Sequence, residues 1–160
     1  MPACTFHWVL ISDMSPDCKK VLDRLETQCS KREYCTEDMR MKALKALEGD
    51  MKGALEIVDS LVADGYVDDL RYASAFAREK AALTGWGPVK IRFALQAKKI
   101  SRGIIDEALL EIDEDKASDK LCRLIEAKRK SLEGDPQIEL KLIKFALGRG
   151  YEYDEIQKFL

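Results

Sequence analysis

The sequence predicts an all-α protein built from three tandem three-helix modules. Three observations carry that prediction. Helix start and stop signals recur from Ser15 to the C-terminus. The apolar residues between them follow a helical period, and no stretch alternates with the period of a strand. Part of the pattern also repeats along the chain. The 160 residues are 46% hydrophobic and 35% charged with a net charge of −2, an ordinary globular balance. Apolar runs are only a few residues long, too short to cross a bilayer.

Nine helices are expected. Ser15-Pro16-Asp17 opens the first, with a hydroxyl cap, a proline where the amide would be unpaired, and an acid near the positive dipole end; it stops before Ser30. Thr36-Glu37-Asp38 caps the second, which ends near Gly49. The third runs from about Asp50 to Ala63, and Gly65 can take the left-handed position beyond it. The fourth follows Asp68, Gly87-Pro88 opens the fifth, and Ser101 caps the sixth. The seventh begins around Asp115, Asp135-Pro136 opens the eighth, and the last starts near Tyr153-Asp154.

The helices group in threes. Ile91-Arg92-Phe93-Ala94-Leu95 matches Ile143-Lys144-Phe145-Ala146-Leu147 at an offset of 52, and residues 105–109 align with 156–160 at an offset of 51 after one deletion. A further copy, roughly residues 17–66, shares the helix pattern but little identity. The expected boundaries are a tail at 1–15 and modules at 16–66, 67–113 and 114–160. Apolar stripes such as Tyr72, Ala73, Phe76, Ala77 or Ile138, Leu142, Phe145, Ala146 give each helix one buried face. A core of this size is marginal alone, so neighbouring modules are expected to stabilise one another in an elongated, curved rod.

Charge is segregated. Residues 80–105 hold Lys80, Lys90, Arg92, Lys98, Lys99 and Arg102 and no acid, whereas 48–69 and 106–119 each carry seven acids against one lysine. That pattern suits a charged macromolecular partner better than a small substrate. Basic runs are also commonly solvated faces above apolar stems, and charge alone leaves both readings open. Trp86, between Gly85 and Gly87, either stacks on a base or packs against the next module, and packing is favoured. Asp68 and Asp69 read as capping acids at a helix start rather than an acid–base pair, with Arg71 within ion-pair reach of Asp68. Lys128-Arg129-Lys130 suits the negative end of the seventh helix and is a secondary candidate surface.

Enzyme chemistry is not expected. The chain has no Gly-rich phosphate loop, nucleophile elbow or metal-binding helix pair, and its one histidine, His7, lies in the expected tail. Five cysteines (Cys4, Cys18, Cys29, Cys35, Cys122) show no CxxC spacing, so reduced thiols are favoured over a Cys29–Cys35 pair or metal site. No cofactor is implied. Residues 3–11 are apolar, but no Lys or Arg precedes them, so a signal peptide is not expected and a cytoplasmic location is. Met1 and Met14 are both open as the start.

One stretch is more specific. Gly65-Tyr66-Val67-Asp68-Asp69, Arg71-Tyr72-Ala73, Arg78, Gly87, Lys90-Ile91, Leu95, Lys99-Ile100, Ile105 and Ala108-Leu109 together resemble the RecX family, bacterial regulators of the RecA recombinase. The likeness is tight over about a third of the chain; the 29–35 turn departs from the more basic turn of many relatives. The resemblance implies a non-enzymatic modulator that sits in the groove of the RecA–single-stranded-DNA filament. There it would impede filament growth, ATP hydrolysis, strand exchange and co-protease activity. The expected partner surface comprises Arg71, Arg78, Lys80, Trp86, Lys90, Arg92, Lys98, Lys99, Arg102, Lys128, Arg129 and Lys130. RecA is the expected partner and single-stranded DNA a second candidate; no membrane or small-molecule substrate is expected. The rival reading is sequence-nonspecific DNA binding, since three-helix units also underlie helix-turn-helix folds. An isoelectric point near 5.6 argues against free-standing DNA binding.

Overall fold

A computed structural model describes residues 11–160; most of the apolar 3–11 stretch, with Cys4 and His7, lies outside the described residues. All regular secondary structure among the described residues is helical. The helices are α1 (Pro16–Cys29), α2 (Thr36–Ala46), α3 (Met51–Ala63), α4 (Asp69–Glu79), α5 (Pro88–Ala97), α6 (Arg102–Leu110), α7 (Glu114–Ser131), α8 (Ile138–Gly148) and α9 (Tyr153–Gln157). A π turn, Lys80–Thr84, extends α4.

Several starts follow their expected side-chain logic. Ser15 Oγ accepts the Cys18 amide at 3.2 Å, Asp50 that of Gly53 at 3.1 Å, and Asp68 that of Arg71 at 2.9 Å. Asp113 accepts the Lys116 amide at 3.0 Å and starts α7 one residue before the expected position. Three differ. Thr36 is the first residue of α2, behind Cys35, and contributes no side-chain cap. Its amide instead donates to Asp69 Oδ1 at 2.7 Å, so a residue 33 positions away does the capping. Ser101 holds the cap position of α6 without a side-chain bond. Asp135-Pro136 forms a turn ahead of α8: the Asp135 carboxylate accepts the Gln137 amide at 2.8 Å and pairs with Lys141.

The repeat is more regular than its residues suggest. The N-cap residues Asp50, Ser101 and Glu152 stand 51 residues apart. So do the left-handed residues Glu48 (φ 53°), Lys99 (φ 56°) and Gly150 (φ 89°), and the buried Ala54, Ile105 and Ile156. The offset of 52 read from Ile91–Leu95 is therefore corrected. Buried Ile91 and Leu95 correspond to buried Leu142 and Ala146, at 51. The sequence-matched Ile143 is half-buried and Leu147 is 46% exposed. A slip of one residue turns a helix by roughly 100°, so matching identities had aligned different faces.

The chain divides by its contacts after Tyr72 into two units. In the first, α3 packs on both α1 and α2 around Leu22, Leu25, Met39, Ile57 and Leu61. Met14, expected in the tail, is 5% exposed and belongs to that core. In the second, α5 packs on α6, α8 on α7 and α9, and α7 on the π turn. Leu121, Ile125, Leu142, Ala146, Tyr151 and Ile156 form one cluster there, and Ala73, Ala77, Ile91, Leu95, Ile105 and Ala108 are likewise buried.

Candidate partner-binding surface

The site is built on the turn between α4 and α5. Five residues of π turn, Lys80–Thr84, extend α4, and Gly85 ends it in the left-handed conformation (φ 63°). The Trp86 amide donates to the Lys80 carbonyl at 3.0 Å, closing the turn. A Cβ at Gly85 would lie 2.5 Å from Leu124 Cδ1, so the turn sits directly on α7. Gly87 lies against the turn after α8: its amide donates to the Arg149 carbonyl at 2.7 Å, and that of Val89 to the Gly150 carbonyl at 3.0 Å. A Cβ on Gly87 would meet the Gly150 oxygen at 2.3 Å, and one on Gly150 would meet Lys90 Cβ at 2.3 Å. Only glycine at both positions permits this approach.

Cations and rings alternate over this frame. Half-buried Trp86 meets the Phe76 ring edge-on at 6.3 Å. Lys80 Nζ lies 5.4 Å from the centroid of each ring. Lys90 Nζ is 4.6 Å from Trp86 and 3.5 Å from the Gly148 carbonyl. On α8, Phe145 carries the Arg149 guanidinium at 4.9 Å and Lys128 Nζ at 5.7 Å. Each such contact contributes on the order of 0.5–1 kcal/mol at an exposed site and orients the charge over the ring.

The other predicted residues have diverse surroundings. Arg78 pairs with Glu111 at 2.7 Å, and Arg92 with Asp106 at 2.6 Å, while Arg102 lies 4.0 Å from Asp106. Acid from the 106–119 stretch thus meets the basic segment within the same unit. Lys98 is the half-buried C-cap residue just beyond α5, and Lys99 is exposed in the left-handed region (φ 56°). Arg71 lies in the other unit, its Nε on Glu33 at 2.8 Å rather than on Asp68, and its Nη2 on the carbonyls of Gly65 at 3.1 Å and Tyr66 at 3.3 Å. Arg129 holds the chain end through the carbonyls of Phe159 at 2.8 Å and Leu160 at 3.3 Å. Lys130 is exposed.

Sequence reasoning missed Arg149, Phe76 and Phe145 as parts of this cluster. The signal available was Gly148-Arg149-Gly150, a second large residue between glycines, like Gly85-Trp86-Gly87. Nothing in the sequence says that the two turns meet.

A pocket of about 190 Å³ is lined by Ala81, Ala82, Ile112 and Ala117 with Arg78, Glu111, Asp113 and Lys116, and a wider hollow of about 520 Å³ has an acidic lining that includes Glu114, Asp115, Glu152, Asp154 and Glu155. Among the described residues no cluster of histidine, cysteine and carboxylate side chains could hold a metal, and no disulfide joins Cys18, Cys29, Cys35 or Cys122. Burial, with Glu33 nearby, raises the Cys29 thiol above its ordinary value, which disfavours the reactive thiolate. No helix among the described residues is long and apolar enough to cross a membrane.

Residues 68–109, which hold most of the cluster, match the family model of the second three-helix domain of RecX. A regulatory protein RecX from Escherichia fergusonii is 30% identical over 158 residues, covering 89% of this chain and 90% of that protein. The chain belongs to the RecX family. A regulatory protein RecX from Clostridium tetani is 32% identical over 133 residues, 81% of this chain but 61% of the relative, so the chain spans about three fifths of that protein's length. Two solved structures share the fold. A crystal structure of regulatory protein RecX superposes with a TM-score of 0.81 at 21% identity, covering 89% of this chain and 71% of that one. RecX from Lactobacillus salivarius gives 0.78 at 23%, covering 89% and 94%. The RecX family is one of regulatory proteins, and its three-helix domain explains the cap-and-turn pattern of residues 68–109.

Proposed function

We propose that this chain binds the RecA filament on single-stranded DNA, seated in its groove, and restrains ATP hydrolysis, strand exchange and co-protease activity. Lys80, Trp86 and Lys90 form the centre of the proposed contacting surface, and Lys98, Lys99 and Lys128 are its further candidate contacts. The observation that carries this reading is the cation–aromatic cluster within the family-matched segment: Lys90 Nζ 4.6 Å and Lys80 Nζ 5.4 Å from the Trp86 ring. Fixed cations beside an aromatic plane suit a filament whose interior exposes phosphates and bases and whose protein surface carries carboxylates. Arg78, Arg92 and Arg102 lie against acids of their own unit, as Lys80 does against Glu79 at 3.7 Å, so these cations contribute less net charge than their number suggests. In this reading the repeats at 16–66, 67–113 and 114–160 act together on a cytoplasmic partner.

The test is the single-stranded-DNA-dependent ATPase of RecA titrated with the full chain. Inhibition at substoichiometric ratios supports filament regulation. No inhibition, together with steeply salt-dependent binding to bare DNA, gives the chain to the second reading, nonspecific DNA binding.

A further inference from the structure

We propose that Arg149 is the positioning residue of this surface, so that the helix-turn after α8 sets the geometry of the Trp86 turn. The inference rests on the filament-binding reading and adds to it a residue outside the segment matching the second three-helix domain. Arg149 grips both ends of the four residues Thr84–Gly87. Its side chain donates from Nη1 to the Thr84 carbonyl at 2.8 Å, and its own carbonyl accepts the Gly87 amide at 2.7 Å. Trp86 stands between the two anchors. The same turn reaches Lys90, whose ammonium donates to the Gly148 carbonyl at 3.5 Å.

The guanidinium is itself held in place. It lies 4.9 Å over Phe145, and its buried Nε has no hydrogen-bond partner among the described residues. A planar fork stacked on a ring suits such a place better than a mobile ammonium. Thr84 ends the π turn, where carbonyls lack helical partners, so the guanidinium supplies a charged donor that the α4 backbone cannot. Without it, Trp86 and Lys80 keep their identities and lose their fixed relation to Lys90. Binding then requires ordering the turn on each encounter, which lowers affinity without removing a contact.

The experiment uses full-length chain in a Trp8→Phe background, leaving Trp86 as the sole tryptophan. Arg149→Ala and Arg149→Lys are compared with the parent by helical circular dichroism, Trp86 emission with acrylamide quenching, and RecA ATPase inhibition. The expected result for Arg149→Ala is retained helicity, red-shifted emission, about twofold greater quenching, and five- to tenfold weaker inhibition. Arg149→Lys, which keeps the charge without the fork, recovers inhibition only partly. Gly87→Ala, which forces the two turns apart without changing charge, reproduces the emission shift and carries the test if Arg149→Ala does not fold. Unchanged Trp86 emission and quenching in a folded Arg149→Ala chain overturns the proposal. So does a displaced Trp86 with full inhibition. If the parent does not inhibit at all, the filament reading fails, while the emission data still decide whether Arg149 positions Trp86.

Discussion

Replacing Gly150 with alanine probes the contact on which the surface depends, and Gly134→Ala is its internal control. Both glycines are left-handed, at φ 89° and 83°, so both substitutions carry the same backbone strain, about 1–2 kcal/mol. Lower entropy of the unfolded chain offsets about 0.4–1 kcal/mol of that in each case. The surroundings differ. A Cβ at Gly134 meets nothing within 4 Å, whereas one at Gly150 lies 2.3 Å from Lys90 Cβ and 2.4 Å from Lys90 N. Backbone cannot swing aside as a side-chain tip can, so α5 must move away from the turn. That displacement adds about 1–3 kcal/mol, and loss of the 3.0 Å bond from Val89 to Gly150 adds about 1 kcal/mol. Gly134→Ala should therefore cost about 1 kcal/mol or less, and Gly150→Ala about 4 kcal/mol. At this chain length the difference of about 3 kcal/mol corresponds to a Tm gap of roughly 6–12 °C. Urea denaturation and thermal melts of the two variants beside the parent read it directly. Equal costs would refute the argument that the turns are in obligatory backbone contact.

Other expectations concern charge, capping and pH. Lys80→Glu with Lys90→Glu should abolish filament inhibition at a stability cost of about 1–2 kcal/mol; Arg92→Glu should lower stability by about 1 kcal/mol, since its new carboxylate faces Asp106, with less effect on inhibition. A melt run alongside each ATPase titration separates the two. Asp69→Ala should cost about 1–2 kcal/mol by uncapping α2, and Asp69→Asn should restore much of it. Amide exchange at the start of α2 reports the loss locally. Burial, with Glu155 nearby, pushes the Tyr151 hydroxyl up to about 12, above the ordinary value of 10.0. The folded state therefore holds this proton more tightly. The resulting stabilisation is complete below pH 10 and is lost as pH rises through 12. Tyr151→Phe should flatten alkaline unfolding over that window. At pH 7 it should be neutral or stabilising, because the hydroxyl has no hydrogen-bond partner among the described residues.

Much of the fold was legible because its signals are local. Ser15, Asp50 and Asp68 cap their helices through bonds three residues long, and such bonds are written in residue order. The apolar stripes placed Ala73, Ala77, Leu142 and Ala146 on buried faces for the same reason. The candidate surface was half legible. Lys80, Trp86 and Lys90 lie close along the chain, and the structure gathers them around one ring. Arg78 and Arg92 looked like part of the same basic field, but acids 33 and 14 positions away face them.

By itself, then, the sequence determined the helical class, most helix starts and the family motif. Those depend on backbone propensities, caps and periodicity, which act over a few residues. Only the tertiary structure decided which charges are opposed, that Asp69 caps a distant helix, that the repeat keeps a register of 51, and that Arg149 holds the Trp86 turn. Each of these is a contact between residues far apart in the chain. Whether such groups meet is fixed by how buried faces pack, and no local pattern encodes that distance.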